Sequence, residues 1–295
     1  MSEKPEMVTW EQAVVWLRNH DKYCDLVYLS YLDDPLLNAA LRFWQSEEWA
    51  AVRSILLYSE SRSLPSSCKV LDIGAGRGIA SYAFARDGWN VTALEPDPSD
   101  VVGADAIRNL SKISGLRINV VDTVAEALPF NDNYFDLVYS RQVFHHIADM
   151  SRACSEAFRV LRPGGRLLIT REHVIDSLDD LPVFLSAHVT HQLCGGETAR
   201  LEAEYVSAIK GSGLRLLKVW GSFGSVINYY PVSRSDRLAV CVKPLLPWFG
   251  WRLSMALVSE HYFGGRWLLE RLAKRASTAD SHPGRLFSFL AEKRV

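Results

Sequence analysis

The fold of this chain is decided by residues 69–78, which read Lys-Val-Leu-Asp-Ile-Gly-Ala-Gly-Arg-Gly. The apolar run before Gly74 predicts a buried β-strand, and the three glycines predict a turn into a helix that begins near Ile79. Glycine has no Cβ, and the start of a helix presents unpaired backbone N–H groups. A ligand can therefore approach the backbone closely at this turn.

Two carboxylates accompany the turn. Asp72 lies near the end of the strand, where it could accept hydrogen bonds from loop amides or from an ammonium group. Glu95 follows the next predicted strand, 21 positions after Gly74, which is the spacing of a carboxylate that binds both hydroxyls of a ribose. The glycines follow GxGxG and not the GxGxxG of dinucleotide-binding folds. The pattern therefore favours a nucleoside ligand over a dinucleotide.

Five segments, in order, resemble the successive motifs of class I S-adenosylmethionine-dependent methyltransferases of the type 11 kind. They are residues 72–78, 95–97, 126–130, 135–138 and 159–166. The resemblance covers roughly residues 68–175 and implies an enzyme whose cofactor is S-adenosyl-L-methionine. Two alternatives stay open, namely an NAD-type Rossmann oxidoreductase and a non-catalytic partner subunit that only binds S-adenosylmethionine.

Predicted strands and helices alternate along the middle of the chain. Strands are predicted at 69–73, 90–94, 117–122, 135–140, 166–171, 214–220 and 286–291, and helices at 79–87, 99–111, 150–161 and 196–212. The alternation predicts an α/β fold with a doubly wound parallel sheet. The resemblance implies a seven-stranded Rossmann-like sheet whose last strand is antiparallel and lies between the two strands before it.

The chain divides into four predicted parts. Residues 1–67 form an N-terminal helical cap, 68–220 the S-adenosylmethionine-binding core, 221–284 a helical insertion or lid, and 285–295 the final core strand. In the cap, Thr9 and Gln12 predict a capping box, and Pro35 predicts the first residue of a second helix. In the family, such caps lie over the cofactor and help to shape the acceptor pocket.

The resemblance assigns most motif residues to the cofactor. The residues implied at its methionine end are Asp72, Gly74, Ala75, Gly76, Gly78, Ser140 and Arg141, and those implied at its ribose are Glu95, Pro96 and Asp97. For adenine, the family often has an aspartate where this chain has Val124. Either Asp122 or Glu126 replaces it, or main-chain groups at 123–127, including Ala125, bind the base.

The cofactor is already an activated electrophile, so the protein needs no covalent nucleophile and mainly positions the acceptor. A general base matters only if the acceptor atom is protonated at rest. The candidates are His145 and His146 after the fourth strand and His173 after the fifth, with a structural role for His145 or His146 as the alternative. A metal site built from His188, His191 and Glu197 matches no strong template, so no metal is predicted.

Charge and sequence restrict the classes of methyl acceptor that the chain could use. The net charge of −1 and the pI of about 6.7 provide no overall basic field for nucleic acid. Residues 140–143, Ser-Arg-Gln-Val, differ from the Asn/Asp-Pro-Pro-aromatic signature of nucleobase and glutamine N-methyltransferases. Nucleic acid is therefore disfavoured, and a small-molecule, glycan or lipid-linked acceptor methylated on oxygen is predicted.

Five scattered cysteines without a CxxC pair favour a reducing compartment, which predicts the cytoplasm. The N-terminus shows no pattern of a signal peptide. The segment from residue 234 to 275 contains eight Lys or Arg, three acids and several aromatic residues, Phe263 among them. Such a segment predicts either a lid with solvated charges or peripheral contact of residues 244–275 with the inner surface of a membrane.

Overall fold

The computed structural model describes residues 8–57, 68–259 and 264–294. Residues 58–67, which contain the predicted boundary of the cap, and Phe263 lie outside these ranges. The strands are β1 (Lys69–Ile73), β2 (Asn90–Leu94), β3 (Ile118–Val121), β4 (Phe135–Arg141), β5 (Leu161–Ile175), β6 (Arg200–Leu201), β7 (Arg215–Trp220) and β8 (Arg285–Glu292).

The helices occur in groups before, between and after these strands. Before β1 are α1 (Trp10–Arg18), α2 (Cys24–Leu29), α3 (Leu36–Gln45) and α4 (Glu47–Leu57). Between β1 and β7 are α5 (Ile79–Arg86), α6 (Ala104–Ser114), α7 (Met150–Val160), α8 (Leu181–Ala187), α9 (Val189–Cys194) and α10 (Glu202–Gly211). Between β7 and β8 are α11 (Val226–Tyr229), α12 (Arg234–Val242), α13 (Leu246–Leu257) and α14 (Gly265–Ala279).

The strands form one mixed sheet in the order β3-β2-β1-β4-β5-β8-β7, and the short β6 pairs with the end of β5. Strand β8 runs antiparallel between β5 and β7, as predicted. The doubly wound Rossmann-like fold is therefore confirmed, with β6 as an additional two-residue strand. The strand order reverses between β1 and β4, and ligands of such sheets bind beside the carboxyl ends of the strands at this point.

Two layers of helices cover the sheet. On one face, Trp49 of α4 is fully buried and its ring centroid lies 4.7 Å from Phe84 of α5 and 6.4 Å from Tyr139 of β4. On the other face, buried residues of α7 and α10, including Ala157 and Tyr205, pack against the sheet. Because α4 is part of the core, the N-terminal helices are held firmly beside the carboxyl ends of the strands.

Several predicted boundaries were wrong for local reasons. Helix α6 begins at Ala104 and not near residue 99, because the Ser99 hydroxyl accepts hydrogen bonds from the amides of Val101 and Val102 and forms a turn there. Pro35 is the N-cap of α3 and not its first helical residue. The capping box of Thr9 and Gln12 is present as predicted.

The other differences concern β5 and the segment after it. Strand β5 runs from Leu161 to Ile175 and is longer than predicted, because β4 and β8 pair with it on opposite edges. The helix predicted at 196–212 begins only at Glu202. Its first residues instead form a loop after α9 and then β6.

Helices α12, α13 and α14 share a small apolar core of their own, which includes Cys241, Val242 and Leu272. Trp248, Trp251 and Trp267 on these helices point away from that core and are 82%, 50% and 59% exposed. None of the helices in the described ranges is long and apolar enough to cross a membrane.

Candidate functional site

The carboxyl ends of β1, β2, β4 and β5 face a cavity of about 570 Å³. Its floor is the glycine turn at residues 74–76, and its sides include Glu95, Pro96 and Asp97 after β2. The opposite wall consists of Trp10 in α1, Leu26 in α2, Tyr31 after α2 and the loop at 194–197. The N-terminal helices therefore cover the position that the strand order marks for a ligand.

The glycine turn depends on glycine at two positions. Gly74 and Gly76 have φ angles of +64° and +54°, in the left-handed region that side chains disfavour. A Cβ atom on Gly74 would also lie 2.5 Å from both Cγ atoms of Val143. The turn thus presents bare backbone to the cavity and leaves no room for a side chain at residue 74.

Two carboxylates lie beside the glycine turn. Glu95 is 8% exposed, and its oxygens accept hydrogen bonds from the amides of Gly76 at 2.7 Å and Asp97 at 3.0 Å. Burial raises its pKa. Asp72 is 2% exposed and accepts a 2.6 Å hydrogen bond from the Ser81 hydroxyl. Burial, more than any other influence, raises the pKa of Asp72 to about 7. Both carboxylates are thus fixed in orientation and short of positive partners.

Two arginines attach the N-terminal helices to this site. Arg77 of the glycine turn donates to the Tyr31 carbonyl at 3.2 Å and to the Asp34 carboxylate at 2.6 Å. Arg141, at the end of β4, forms two hydrogen bonds of 2.7 and 3.0 Å with the carboxylate of Glu48 in α4. Arg141 lines the cavity, but these bonds direct its guanidinium to Glu48.

Five residues predicted at the cofactor do not line the cavity: Gly78, Asp122, Ala125, Glu126 and Ser140. Gly78 is the N-cap of α5, and Ser140 is buried and donates to the Ile73 carbonyl at 3.2 Å. Asp122 instead accepts two hydrogen bonds from Arg108, at 2.6 and 2.8 Å. Neither of the two carboxylates proposed for adenine therefore faces the cavity.

The other end of the cavity contains a group of histidines and carboxylates, which we call the histidine cluster. It consists of His145, His146, His173, His188, Glu172 and Glu197. These residues come from the turn after β4, from β5 and from the loops around α9. The cluster brings together the three predicted catalytic histidines.

His145 is 1% exposed and lies between two carboxylates. Its Nδ1 is 2.6 Å from Glu172 Oε2, and its Nε2 is 3.0 Å from Glu197 Oε1. Burial opposes a charged imidazole, but the two carboxylates outweigh it and raise the pKa of His145 to about 9. Glu172 also accepts hydrogen bonds from the amides of Val143 and Phe144, which fixes its position. His145 is therefore an imidazolium at neutral pH.

His173 and His146 differ from His145 in the direction in which their pKa values are shifted. His173 is partly exposed, and its Nδ1 donates to the Gly284 carbonyl at 2.7 Å, so its Nε2 carries a lone pair. Burial and the charge of His145 lower the pKa of His173 to about 3. His146 is 41% exposed, and burial and His145 also lower its pKa. Both imidazoles are neutral at pH 7.

Several residues of this site were missed or misjudged from the sequence. Glu48, Arg77 and Glu172 were not among the residues predicted for the site. The signal available for Glu172 was an acidic residue inside an otherwise apolar strand. Of the suggested metal ligands, His188 Nδ1 lies 3.6 Å from Glu197 Oε2, but His191 does not line the cavity.

Comparisons with known proteins agree with this geometry. A family model described as a methyltransferase domain matches residues 71–169. The ubiquinone/menaquinone biosynthesis C-methyltransferase UbiE of Haemophilus ducreyi is 33% identical over 177 residues, which cover 56% of this chain and 67% of that protein. The sarcosine/dimethylglycine N-methyltransferase of Halorhodospira halochloris is 39% identical over 115 residues, or 38% of this chain and 40% of that protein.

A solved structure with the same fold is geranyl diphosphate C-methyltransferase from Streptomyces coelicolor A3(2), in complex with Mg²⁺, geranyl diphosphate and S-adenosyl-L-homocysteine. It aligns with a TM-score of 0.53 over 98% of this chain and 100% of that chain, at 14% identity, and so shows the fold alone. The family model and the UbiE relative add the sequence motifs to that fold. The chain therefore belongs to the class I S-adenosylmethionine-dependent methyltransferases, and its cofactor is S-adenosyl-L-methionine.

Proposed function

We propose that this enzyme transfers a methyl group to an oxygen atom of a small-molecule, glycan or lipid-linked acceptor that binds at the histidine cluster. The observation that supports it is the single cavity that joins the glycine turn and Glu95 to the histidine cluster. With the cofactor on the turn, an acceptor at the cluster would lie next to the reactive methyl group. Ionisable groups at that end suit an acceptor that must lose a proton, as a hydroxyl must.

The residues of the turn fit the cofactor. The bare backbone of Gly74 and Gly76 admits the methionine part, and the Asp72 carboxylate can pair with its ammonium group. Glu95 would bind the ribose hydroxyls with the lone pairs that its two backbone hydrogen bonds leave free. Asp122, Glu126 and the main chain at residues 123–127 do not line the cavity, so we assign none of them to adenine.

When bound, the cofactor supplies a methyl group on a positively charged sulfur, which needs no further activation. A lone pair of the acceptor oxygen forms the new C–O bond while the S–CH₃ bond breaks and its electrons stay on sulfur. The hydroxyl proton passes to the histidine cluster and from there to solvent. Holding the oxygen in line about 3 Å from the methyl carbon turns a bimolecular reaction into an effectively unimolecular one.

The histidines are poorly matched to the role of a free general base. An efficient base has a pKa near the working pH, whereas the pKa of His145 is about 9 and that of His173 about 3. His145 would act by its positive charge, and His173 would accept a hydrogen bond from the acceptor hydroxyl. Among the three predicted catalytic histidines, we assign proton removal to the more exposed His146 or to the cluster as a whole.

The acceptor atom is tested with cofactor that carries ¹³C in its methyl group. The purified enzyme is incubated with a panel of hydroxylated, amino and carbon-acid acceptors, and the product methyl group is identified by NMR. A methoxy signal is expected. An N-methyl or C-methyl signal would overturn the assignment to oxygen, and turnover only after addition of a second protein would support a partner-subunit role.

Replacing Glu95 by glutamine is expected to weaken S-adenosyl-L-homocysteine binding by about 1–3 kcal/mol, or about 5- to 150-fold, because charge-assisted ribose contacts are lost. Calorimetric titration measures the affinity. Glu202→Gln is the matched control, because Glu202 is an exposed glutamate of α10 outside the cavity, and this variant should bind S-adenosyl-L-homocysteine as tightly as the parent enzyme. Equal affinity for Glu95→Gln and the parent would refute the ribose assignment.

We further propose that α13 and α14 contact an anionic lipid surface, which would suit a lipid-linked acceptor. Trp248, Trp251 and Trp267 are exposed, and the charged head of Arg271 lies 4.7 Å from the Trp267 ring. Arg252 is exposed beside Trp251. Aromatic residues next to basic ones are typical of helices that lie at membrane interfaces.

In co-sedimentation, the enzyme is expected to bind phosphatidylglycerol vesicles and to lose most of this binding at high salt. The double variant Trp248→Ala/Trp251→Ala should bind about tenfold more weakly, with unchanged affinity for S-adenosyl-L-homocysteine. Binding to neutral vesicles that is as strong as binding to anionic ones, or unaffected by the double substitution, would contradict this contact.

A further inference from the structure

The histidine cluster contains two imidazoles whose orientation is fixed by a hydrogen bond at Nδ1, on the side of the ring away from Nε2. Nδ1 of His145 lies 2.6 Å from Glu172, and Nδ1 of His173 lies 2.7 Å from the carbonyl of Gly284. A carbonyl only accepts hydrogen bonds, so Nδ1 of His173 carries the proton. Histidines that bind metals usually donate one ring N–H to a carboxylate or a backbone carbonyl in this way, and bind the metal through the other nitrogen.

The Nε2 atoms of these two imidazoles lie near a third potential ligand. His145, His173 and Glu197 each offer one ligand atom within 4.8 Å of the other two. Ligand atoms around one metal ion, each about 2.0–2.2 Å from it, lie roughly 3–4 Å apart. His173 and Glu197 are only partly buried, so small side-chain rotations would close the remaining gap.

The charge of the cluster also suits a cation. Two carboxylates, Glu172 and Glu197, lie on opposite sides of the His145 ring within a mostly buried site. Nε2 of His145 faces Glu197 Oε1 at 3.0 Å, so both atoms are directed at the same small space. A dication in that space would lie close to two acidic side chains, which form ion pairs with histidines and with no Lys or Arg of the described residues.

We propose that His145, His173 and Glu197 bind a first-row transition-metal dication, with Glu172 and the Gly284 carbonyl as outer partners. Two imidazoles and one carboxylate suit zinc, manganese or iron, whereas magnesium prefers oxygen ligands alone. All three ligands line the cavity, so the remaining coordination positions face the space assigned to the acceptor.

The role of the metal rests on the proposed function, although its binding does not. A dication that holds an acceptor oxygen lowers the pKa of the hydroxyl group, which then loses its proton to solvent near neutral pH. A metal ion at this position also explains why two carboxylates are directed at a single imidazole.

The test is a calorimetric titration of chelator-treated enzyme with Zn²⁺, together with Co²⁺ titration followed by visible absorption. We expect one equivalent of Zn²⁺ to bind with micromolar or tighter affinity, and Co²⁺ to show bands of a site with nitrogen and oxygen ligands. His173→Ala and Glu197→Gln should each weaken Zn²⁺ binding at least tenfold, and Glu172→Gln by about 10- to 100-fold.

The control is His282→Ala, which removes an exposed histidine outside the cavity and should leave Zn²⁺ binding unchanged. Each variant is also titrated with S-adenosyl-L-homocysteine, because retained affinity shows that the fold is intact. If His145→Ala fails to fold, the variants at the partly exposed His173 and Glu197 decide the question.

Absence of stoichiometric Zn²⁺ binding, or equal binding by His173→Ala and His282→Ala, would overturn the metal site. These results are independent of the proposed function. Zn²⁺ binding without S-adenosyl-L-homocysteine binding would reject the proposed cofactor contacts and keep the metal site. Cofactor binding and turnover that persist in chelator, without any metal, would reject the role of the metal in methyl transfer and keep the proposed function.

Discussion

Replacing Glu48 by glutamine is expected to lower the free energy of unfolding by about 3–5 kcal/mol, the usual effect of removing one partner from a buried ion pair. Glu48 is fully buried, and its carboxylate binds Arg141 through two hydrogen bonds. Arg171 Nη1 lies 3.7 Å from the same carboxylate. Burial alone would raise the pKa of Glu48, but the two arginines outweigh it and lower the pKa.

A glutamine in this position would leave both guanidinium groups buried without a counter-charge. Its amide nitrogen would also face arginine N–H donors, so one hydrogen bond would become a repulsive contact. The effect should reach the cavity, because Arg141 connects the end of β4 to α4 and lines the cavity. We therefore expect weaker cofactor binding in addition to lower stability.

Urea denaturation measures this change, with the slope of the transition used to check that unfolding remains two-state. Glu47→Gln is the matched control, since Glu47 precedes Glu48 in the first turn of α4 but is exposed. Glu47→Gln should change the free energy of unfolding by no more than about 0.5 kcal/mol. If Glu48→Gln lowers the free energy of unfolding by less than about 1 kcal/mol, the buried Glu48–Arg141 ion pair contributes little to stability.

The features that were predicted correctly from the sequence are local ones. The strand, glycine turn and helix at residues 69–86 follow from a short apolar run, the absence of side chains at three positions and a helical period. The antiparallel last strand required the family resemblance, because the periodicity of residues 286–291 does not specify which strand they pair with.

The features that could not be predicted depend on contacts between distant residues. Glu48 and Arg141 are 93 positions apart, and Glu172 lies 27 positions from His145. In the sequence, Glu48 is an ordinary acidic residue at the start of a helix, where such residues are common and exposed. Only the packing of α4 on the sheet shows that it is buried opposite an arginine.

The adenine assignment illustrates a similar limit. Alignment with the family motif brings Asp122 and Glu126 close to the expected position, but Asp122 pairs with Arg108 of α6. The partner is therefore supplied by a helix that the motif does not include. The pKa values of the histidines were equally inaccessible, because they depend on which carboxylates the fold places beside each ring.

Replacing Gly74 by alanine is expected to lower stability by about 2–4 kcal/mol and to weaken S-adenosyl-L-homocysteine binding more than tenfold. The left-handed φ of +64° costs a side-chain-bearing residue about 1–2 kcal/mol. The new Cβ would also lie 2.5 Å from Val143, whose β-branched side chain adjusts poorly, and such overpacking costs about 1–3 kcal/mol.

Two further variants separate the cost of the left-handed backbone angle from the cost of the contact with Val143. Gly115, the C-cap of α6, has a similar φ of +69°, but no atom lies within 4 Å of a Cβ added there. Gly115→Ala should therefore show only the cost of the backbone angle and no change in cofactor affinity. Gly74→Ala/Val143→Ala removes both Cγ contacts and leaves only the Cβ of residue 143 at 3.0 Å, so part of the stability and affinity should return. If the double variant binds cofactor no better than Gly74→Ala, the bare backbone itself, and not the space beside Val143, is what the cofactor requires at this turn.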